Sequence, residues 1–291
     1  MGWLSGWTYR KKHEINGSTA GAVTDYQMRF KVHYGSGTDS GEDVYLNSKC
    51  RSDFGDVRFT KDDGTTVLDY WMEEKVDGDY AIFWVKVPSI PADPDKATIY
   101  IYYGKSDATY AGSGTDTFIF YDDFETWEGW TQHGSGEVSQ DSARAFEGTY
   151  SAHKTTANDP NGAYKSIGQT LGRNIALEFR VNRNSGYSGG PADRIGLLNA
   201  GDDGYGWGYR HNYDELYIDK RTDYSGTQYG FVSATDEMDA WVKGILKIYG
   251  DTIKAERYLS NGTKAGETSL TDTDYTDFNR VYIFGGYDYW V

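Results

Sequence analysis

Apolar residues recur at every second position along this chain, in short runs broken by glycine, aspartate and asparagine, and no stretch shows the 3.6-residue period of a helix. A period of two sends successive side chains to opposite faces of an extended strand, so the pattern commits the chain to many short β-strands. In the N-terminal part the runs are 27–33, 57–60, 67–72, 80–87 and 98–103. Within 80–87, Ile82 and Trp84 share one face and Ala81, Phe83, Val85 and Val87 the other. Two apolar faces predict a central strand covered on both sides. Beyond residue 117 the clearest runs are 176–181, 194–199, 205–210, 215–219, 241–249, 252–259 and 280–284. Many short antiparallel strands joined by glycine-rich turns predict an all-β protein built of β-sandwiches, the second a jelly roll. Asn16-Gly17, Asp63-Gly64 and Asn261-Gly262 read as tight hairpin turns, for which such pairs are sterically favoured. Two of these also spell a glycosylation sequon with Ser18 and Thr263, but turn chemistry suffices to explain them.

Composition narrows the function classes. The 44 acidic and 29 basic side chains leave a net charge of −15, which argues against nucleic acid and anionic membrane surfaces as partners. No apolar run approaches the roughly 20 residues of a spanning helix. Cys50 is the single cysteine, so no intrachain disulfide forms and the fold rests on its cores. Aspartate outnumbers glutamate, 31 to 13, as suits turns and, at a few positions, a hard oxygen site for calcium. A length of 291 residues predicts two domains. The small, polar stretch 104–116 reads as the linker or a loose edge, giving domains 1–110 and 117–291. The start at Met1-Gly2-Trp3 reads as what remains after removal of a leader, and the aromatic run 287–291 reads as a strand with chain to follow. The expectation is an extracellular or cell-surface polypeptide tethered to further domains.

The N-terminal part resembles a family of unknown function found in archaeal and bacterial surface proteins and multidomain glycosidases. The matching residues are Trp7-Thr8-Tyr9-Arg10-Lys11-Lys12, Asp56-Val57-Arg58-Phe59-Thr60, Asp63-Gly64, Trp84-Val85-Lys86-Val87-Pro88 and Ile101-Tyr102-Tyr103-Gly104. One departure is His13, where the family has an apolar strand residue. The resemblance implies a β-sandwich accessory domain and brings no catalytic residues. The C-terminal part resembles concanavalin-like and jelly-roll carbohydrate-binding modules through Phe120-Tyr121-Asp122-Asp123-Phe124-Glu125, then Trp127 or Trp130, and through Phe146-Glu147-Gly148-Thr149-Tyr150-Ser151. In such modules an early acidic strand, this turn and a final-strand aspartate enclose a structural calcium. That resemblance implies Ca²⁺ at Asp122, Asp123, Glu147 and the Gly148 carbonyl, although the final acidic residue is missing here.

Sugar binding asks for flat rings to stack on pyranose faces and planar polar groups to pair with hydroxyls. Tyr205, Trp207 and Tyr209 share one strand face, with Gly206 and Gly208 leaving the other bare. This stripe fits either a stacking platform or the core face of its strand. With Leu177, Phe179 and Val181 inward, Glu178 and Arg180 point outward. With Ile195 and Leu197 inward, so does Arg194. Leu216 and Ile218 likewise leave Tyr217 and Asp219 outward. The candidate carbohydrate-binding set is therefore Glu178, Arg180, Arg194, Trp207, Tyr209 and Tyr217 on one sheet face. Catalysis has little support. The glucanase pattern of spaced carboxylates is absent, residues 215–219 (ELYID) being its nearest approach, and of five scattered histidines only His211 follows the candidate face. The reading is a non-catalytic polysaccharide-binding pair of domains with a structural calcium. The alternative is a structural or adhesive surface protein whose sandwiches assemble with one another.

Overall fold

The alternating runs become strands in the computed structural model, which describes residues 2–135, 138–155, 160–185, 192–286 and 288–291. The chain divides into two units, Met1–Asp122 and Asp123–Val291. The first contains β1 (Tyr9–Asn16), β2 (Val23–His33), β3 (Asp43–Tyr45), β4 (Arg58–Lys61), β5 (Tyr70–Val76), β6 (Tyr80–Ile90), β7 (Lys96–Tyr103) and a one-turn helix α1 (Gly114–Thr117). One sheet has the order β1-β7-β4 and the other β3-β2-β6-β5. Strand β6 lies between β2 and β5 and buries Ala81, Phe83, Val85 and Val87 on one face, as its doubly apolar pattern predicts. These side chains meet Phe30, Val32, Phe59 and Ile101 in one core. Each fully buried side chain of this size contributes about 1.5–3 kcal/mol.

The recurring sequence elements of this unit have physical roles. The Arg10 guanidinium lies 4.5 Å from the ring centroids of both Trp3 and Tyr100. Asp56 is fully buried and accepts the backbone N–H groups of Arg51 (2.9 Å), Gly104 (2.6 Å) and Lys105 (3.1 Å). It thus pins the chain just after β7 to the loop before β4. The exceptional His13 packs edge-on against Phe30 at 5.1 Å, and burial pulls its pKa below the usual imidazole value. Asn16-Gly17 is not a hairpin turn: β1 pairs with β7 and β2 with β6, so this dipeptide carries the chain from one sheet to the other. Asp63-Gly64 is a tight turn, its Gly64 at φ +75° and its carboxylate accepting from Thr65 and Thr66 N–H. The stretch 104–116 lies along the first unit. Ser113 N–H donates to the Tyr70 carbonyl, and Phe118 sets its ring against Trp71 and Trp84. Its small polar residues are held mainly through the backbone, a kind of attachment that apolar periodicity does not reveal.

Among the described residues the second unit is a sandwich of two seven-stranded sheets. Its strands are β8 (Trp130–His133), β9 (Val138–Asp141), β10 (Ser151–Lys154), β11 (Gly162–Leu171), β12 (Ile175–Arg183), β13 (Asp193–Leu198), β14 (Gly204–Arg210), β15 (Glu215–Thr222), β16 (Ser225–Ser233), β17 (Val242–Tyr249), β18 (Thr252–Tyr258), β19 (Lys264–Thr271), β20 (Phe278–Gly285) and β21 (Tyr289–Trp290). The front sheet has the order β16-β15-β14-β13-β20-β11-β8 and the back sheet β19-β18-β17-β12-β21-β10-β9. Asn261-Gly262 is a true hairpin turn, joining β18 to β19 with Gly262 at φ +82°.

Candidate functional site

Strand β14 decides the geometry of the front sheet. Its aromatic stripe faces inward: Tyr205, Trp207 and Tyr209 are each fully buried. Trp207 meets Phe179 of the back sheet edge-on at 5.3 Å and donates its indole N–H to the Glu256 carbonyl at 2.9 Å. Tyr209 donates to the Ala234 carbonyl, with the Arg257 guanidinium 3.9 Å from its ring centroid. Of the two readings this stripe allowed, the core reading holds, and Trp207 and Tyr209 form part of the inter-sheet packing.

The outer face of the same sheet is floored by glycine. A methyl group on Gly206 would lie 1.9 Å from the Tyr282 hydroxyl oxygen, and one on Gly208 would lie 2.2 Å from the Tyr217 ring. Only a bare backbone lets these rings lie down on the sheet. Register explains the assembly. Gly208 stands between Arg194 and Tyr217, Gly206 stands between Gly196 and Asp219, and Tyr282 on β20 pairs with Gly196. Arg194, Tyr217, Asp219, Arg221, Tyr282 and Phe284 therefore converge on one patch. Asp219 Oδ2 accepts from Arg221 Nε at 2.6 Å and from the Tyr282 hydroxyl at 3.1 Å. Arg194 Nε lies 3.6 Å from Asp219 Oδ1. The Arg221 guanidinium stands 5.1 Å from the centroids of both Tyr282 and Phe284. Burial pushes the Tyr217 and Tyr282 hydroxyls well above the usual phenol pKa, Asp219 adding to the rise, so both stay protonated. Tyr217 Oη and Asp219 Oδ1 are buried without a hydrogen-bond partner among the described residues.

Around this patch the groups become half-exposed. The His133 ring stacks on Tyr224 with centroids 3.8 Å apart, Tyr224 lies 5.8 Å from Phe284, and Arg280 stands over Tyr164 at 5.1 Å. On the other side Phe231, 44% exposed, lies 5.4 Å from Tyr217, and the Arg210 guanidinium is 4.1 Å from its centroid.

Three expectations are corrected. The six candidate residues do not share a sheet face. Glu178 and Arg180 sit on β12 of the back sheet, on its outer side, where Glu178 pairs with Lys243 at 3.1 Å and Arg180 covers Phe146 at 4.7 Å. That surface carries a Lys/Glu lattice, including Lys247–Glu256 and Lys264–Glu267. Second, Arg194 and Tyr217 do share an outer face, but they are 6% and 0% exposed rather than displayed to water. Third, His211 does not follow that face. It is buried, Nε2 to Asp193 at 2.5 Å and Nδ1 to Asp236 at 2.9 Å, so both ring nitrogens are engaged by carboxylates. Asp219, Arg221, Tyr282 and Phe284 are the members that the candidate set missed. The outward alternation of Tyr217 and Asp219 continues to Arg221, while Tyr282 and Phe284 join through a strand remote in sequence.

The residues expected to hold calcium lie in two places along the chain. Asp122 closes the first unit and Asp123 opens the second; Asp123 Oδ1 accepts from Glu125 N–H at 3.2 Å. The turn containing Glu147 and Gly148 presents N–H groups: Thr149 and Tyr150 donate to Glu125 Oε1 at 2.7 and 2.9 Å. These two bonds hold the Glu125 carboxyl below its ordinary pKa. No group of three His, Cys, Asp or Glu suited to a metal occurs among the described residues.

Residues 53–133 match the family described as Domain of unknown function (DUF2341). The match includes Asp56–Thr60 and the later elements that carried the N-terminal resemblance, but not residues 7–12. The uncharacterized protein MJ1394 of Methanocaldococcus jannaschii is 38% identical over 183 residues, which are 62% of this chain and 18% of that protein. This chain thus spans less than a fifth of the relative's length. Among solved structures, the carbohydrate binding module CBM66 from Bacillus subtilis aligns with a TM-score of 0.38 and 12% identity over 56% of this chain and 96% of that one. Galectin-Ib of Xenopus laevis aligns with a TM-score of 0.32 and 13% identity, over 43% and 92% of the two chains. No helix is long and apolar enough to cross a membrane among the described residues.

Proposed function

We propose that the second unit binds glycan without catalysis, on the outer face of its front sheet. The observation that carries this reading is a pair of buried polar atoms without a well-formed hydrogen bond among the described residues, Tyr217 Oη and Asp219 Oδ1, the latter held only by the 3.6 Å ion pair to Arg194, set among guanidinium groups and aromatic rings on a glycine floor. A buried polar atom with no partner costs about 1–3 kcal/mol. A hydroxyl-rich ligand relieves that cost and finds donors, acceptors and flat apolar rings together. The half-exposed Tyr224, Arg280 and Phe231 supply the first contacts. Exposed Gly226 marks a short approach, since a methyl group there would lie 2.5 Å from Asp219 Oδ1. Reaching both atoms requires the side chains over the patch to yield. An extracellular location, and a place within a longer surface or polysaccharide-degrading polypeptide, belong to the same proposal; the much greater length of the Methanocaldococcus protein supports the latter.

Affinity electrophoresis of the full chain on a polysaccharide panel tests it. Retardation on at least one polymer is expected, and Tyr217→Phe should weaken that retention about tenfold. Its melting temperature should change little, because the deleted hydroxyl makes no well-formed hydrogen bond among the described residues. Equal retention of the variant, or no retardation on any polymer, overturns the reading.

A further inference from the structure

We propose that the first unit carries its own binding pocket, independent of the glycan face above, for a small neutral polyhydroxyl ligand on the scale of one sugar ring or a cyclitol. A cavity of about 210 Å³ opens where the chain after β7 folds back over β4 and β5. Arg58, Leu68, Asp69, Tyr70, Ser113 and Asp116 line it, and all lie within the segment that matches the family of unknown function. Its volume falls below the roughly 300–1,000 Å³ of pockets for drug-sized ligands, which limits the occupant to something smaller.

The lining is built rather than incidental. Tyr70 is 2% and Arg58 8% exposed, and both are fixed from behind. The Tyr70 ring packs on Phe59 and Phe83 at 5.5 and 6.0 Å. Arg58 donates to the carbonyls of Gly55, Val57 and Thr109. Yet the Tyr70 hydroxyl makes no hydrogen bond of good geometry among the described residues. Burial raises its pKa, while the Arg58 guanidinium and the Ala111 N–H pull the other way, which places the oxygen beside two cavity-lining groups. A protein that seats a tyrosine ring this firmly and gives its hydroxyl no well-formed hydrogen bond leaves that oxygen for a ligand to satisfy.

Charge selects the ligand class. Asp69 and Asp116 line the cavity together with Arg58. Lys86 Nζ lies 3.4 Å from Asp69 and donates to the Asp116 carbonyl at 3.1 Å. With Lys86, which pairs with Asp69 from outside the lining, two anions and two cations balance, so a net-charged occupant gains little, whereas a molecule carrying both donors and acceptors is matched. The Leu68 side chain provides apolar surface for a C–H face.

The test is a titration of the isotope-labelled full chain with glucose, galactose, mannose and myo-inositol to tens of millimolar, following amide resonances. At least one of the four is expected to shift the Ala111 and Ser113 amides saturably. Tyr70→Phe should weaken that binding about tenfold, the worth of one hydrogen bond, without lowering the melting temperature. Ala111→Phe, at an exposed position, should fill the mouth and abolish the shifts while the rest of the unit's spectrum is retained. Tyr217→Phe in the second unit should change nothing here, so the two sites stand or fall separately. No saturable shift with any of the four, an unchanged affinity in Tyr70→Phe, or tighter binding of glucosamine or glucuronate than of glucose overturns the proposal.

Discussion

The two units bury charge in opposite ways. In the first, Asp56 and Arg58 satisfy themselves mainly on backbone groups at the edge of an aliphatic and aromatic core, and they act as staples for loops. In the second, charge is buried where β12 ends, β13 begins and β14 ends. Asp193 pairs with Arg183 at 3.2 Å and with His211 at 2.5 Å, Asp236 joins His211 at 2.9 Å, and Arg257 reaches Asp236 at 3.0 Å. On the far side of the same sheet Asp219 and Arg221, both fully buried, pair again at 2.6 Å. The difference teaches that two sandwiches of similar strand chemistry can be held by different means: the first by apolar packing with backbone-satisfied charges, the second by a chain of ion pairs whose members depend on one another.

The largest effect that tests this contrast is removal of the shared carboxylate. Asp193→Ala leaves Arg183 and His211 buried beside an absent partner and should cost the second unit about 3–5 kcal/mol. Urea denaturation of the full chain should show one transition displaced to lower denaturant and the other in place; displacement of both would mean that the units do not melt independently.

A smaller effect separates the units by pH. Burial lowers the His13 pKa, so the folded first unit binds fewer protons than the unfolded chain and loses stability as pH falls below the ordinary imidazole value of 6.5. For His211 burial works downward too, but the charges and hydrogen bonds of Asp193 and Asp236 outweigh it and the pKa is raised. That contribution is complete below pH 6.5 and is lost as pH rises through the folded value. His133, lowered chiefly by burial, opposes it in part. Melting curves across neutral pH should therefore slope in opposite directions for the two units, and His211→Gln should abolish the falling slope of the second. Parallel slopes would break the comparison.

The smallest expected effect concerns metal. Because the Gly148 turn donates hydrogen bonds to Glu125, a chelator should leave the melting temperature of the second unit unchanged, and added calcium should not raise it. A calcium-dependent rise would return the ion to this unit.

Much of the fold was legible because alternation is a local property. The doubly apolar 80–87 run announced its central place in a sheet, and the Tyr205–Tyr209 stripe with its intervening glycines announced a strand with one bulky face and one bare face. The candidate site was legible only in fragments. Arg194, Tyr217 and Asp219 were placed on outward faces by the alternation of their own strands, but Tyr282 and Phe284 arrive through β20, which pairs with β13 across a long stretch of intervening chain. Glu178 and Arg180 have the same outward pattern and lie on another sheet altogether. The mistaken hairpin at Asn16-Gly17 has the same origin, since a dipeptide specifies a turn but not which strand the chain meets afterwards.

By itself, then, the order of residues determined that this chain is a succession of short strands, which residues share a face within each strand, and that charge and aromatic groups are abundant on both. Only the tertiary structure decided which face of β14 meets a second sheet, which outward residues become neighbours, and which of them are covered. The physical reason is range. Side-chain alternation follows from the geometry of a single extended backbone, whereas burial is conferred by surfaces distant in sequence, through the free energy gained when those surfaces close together.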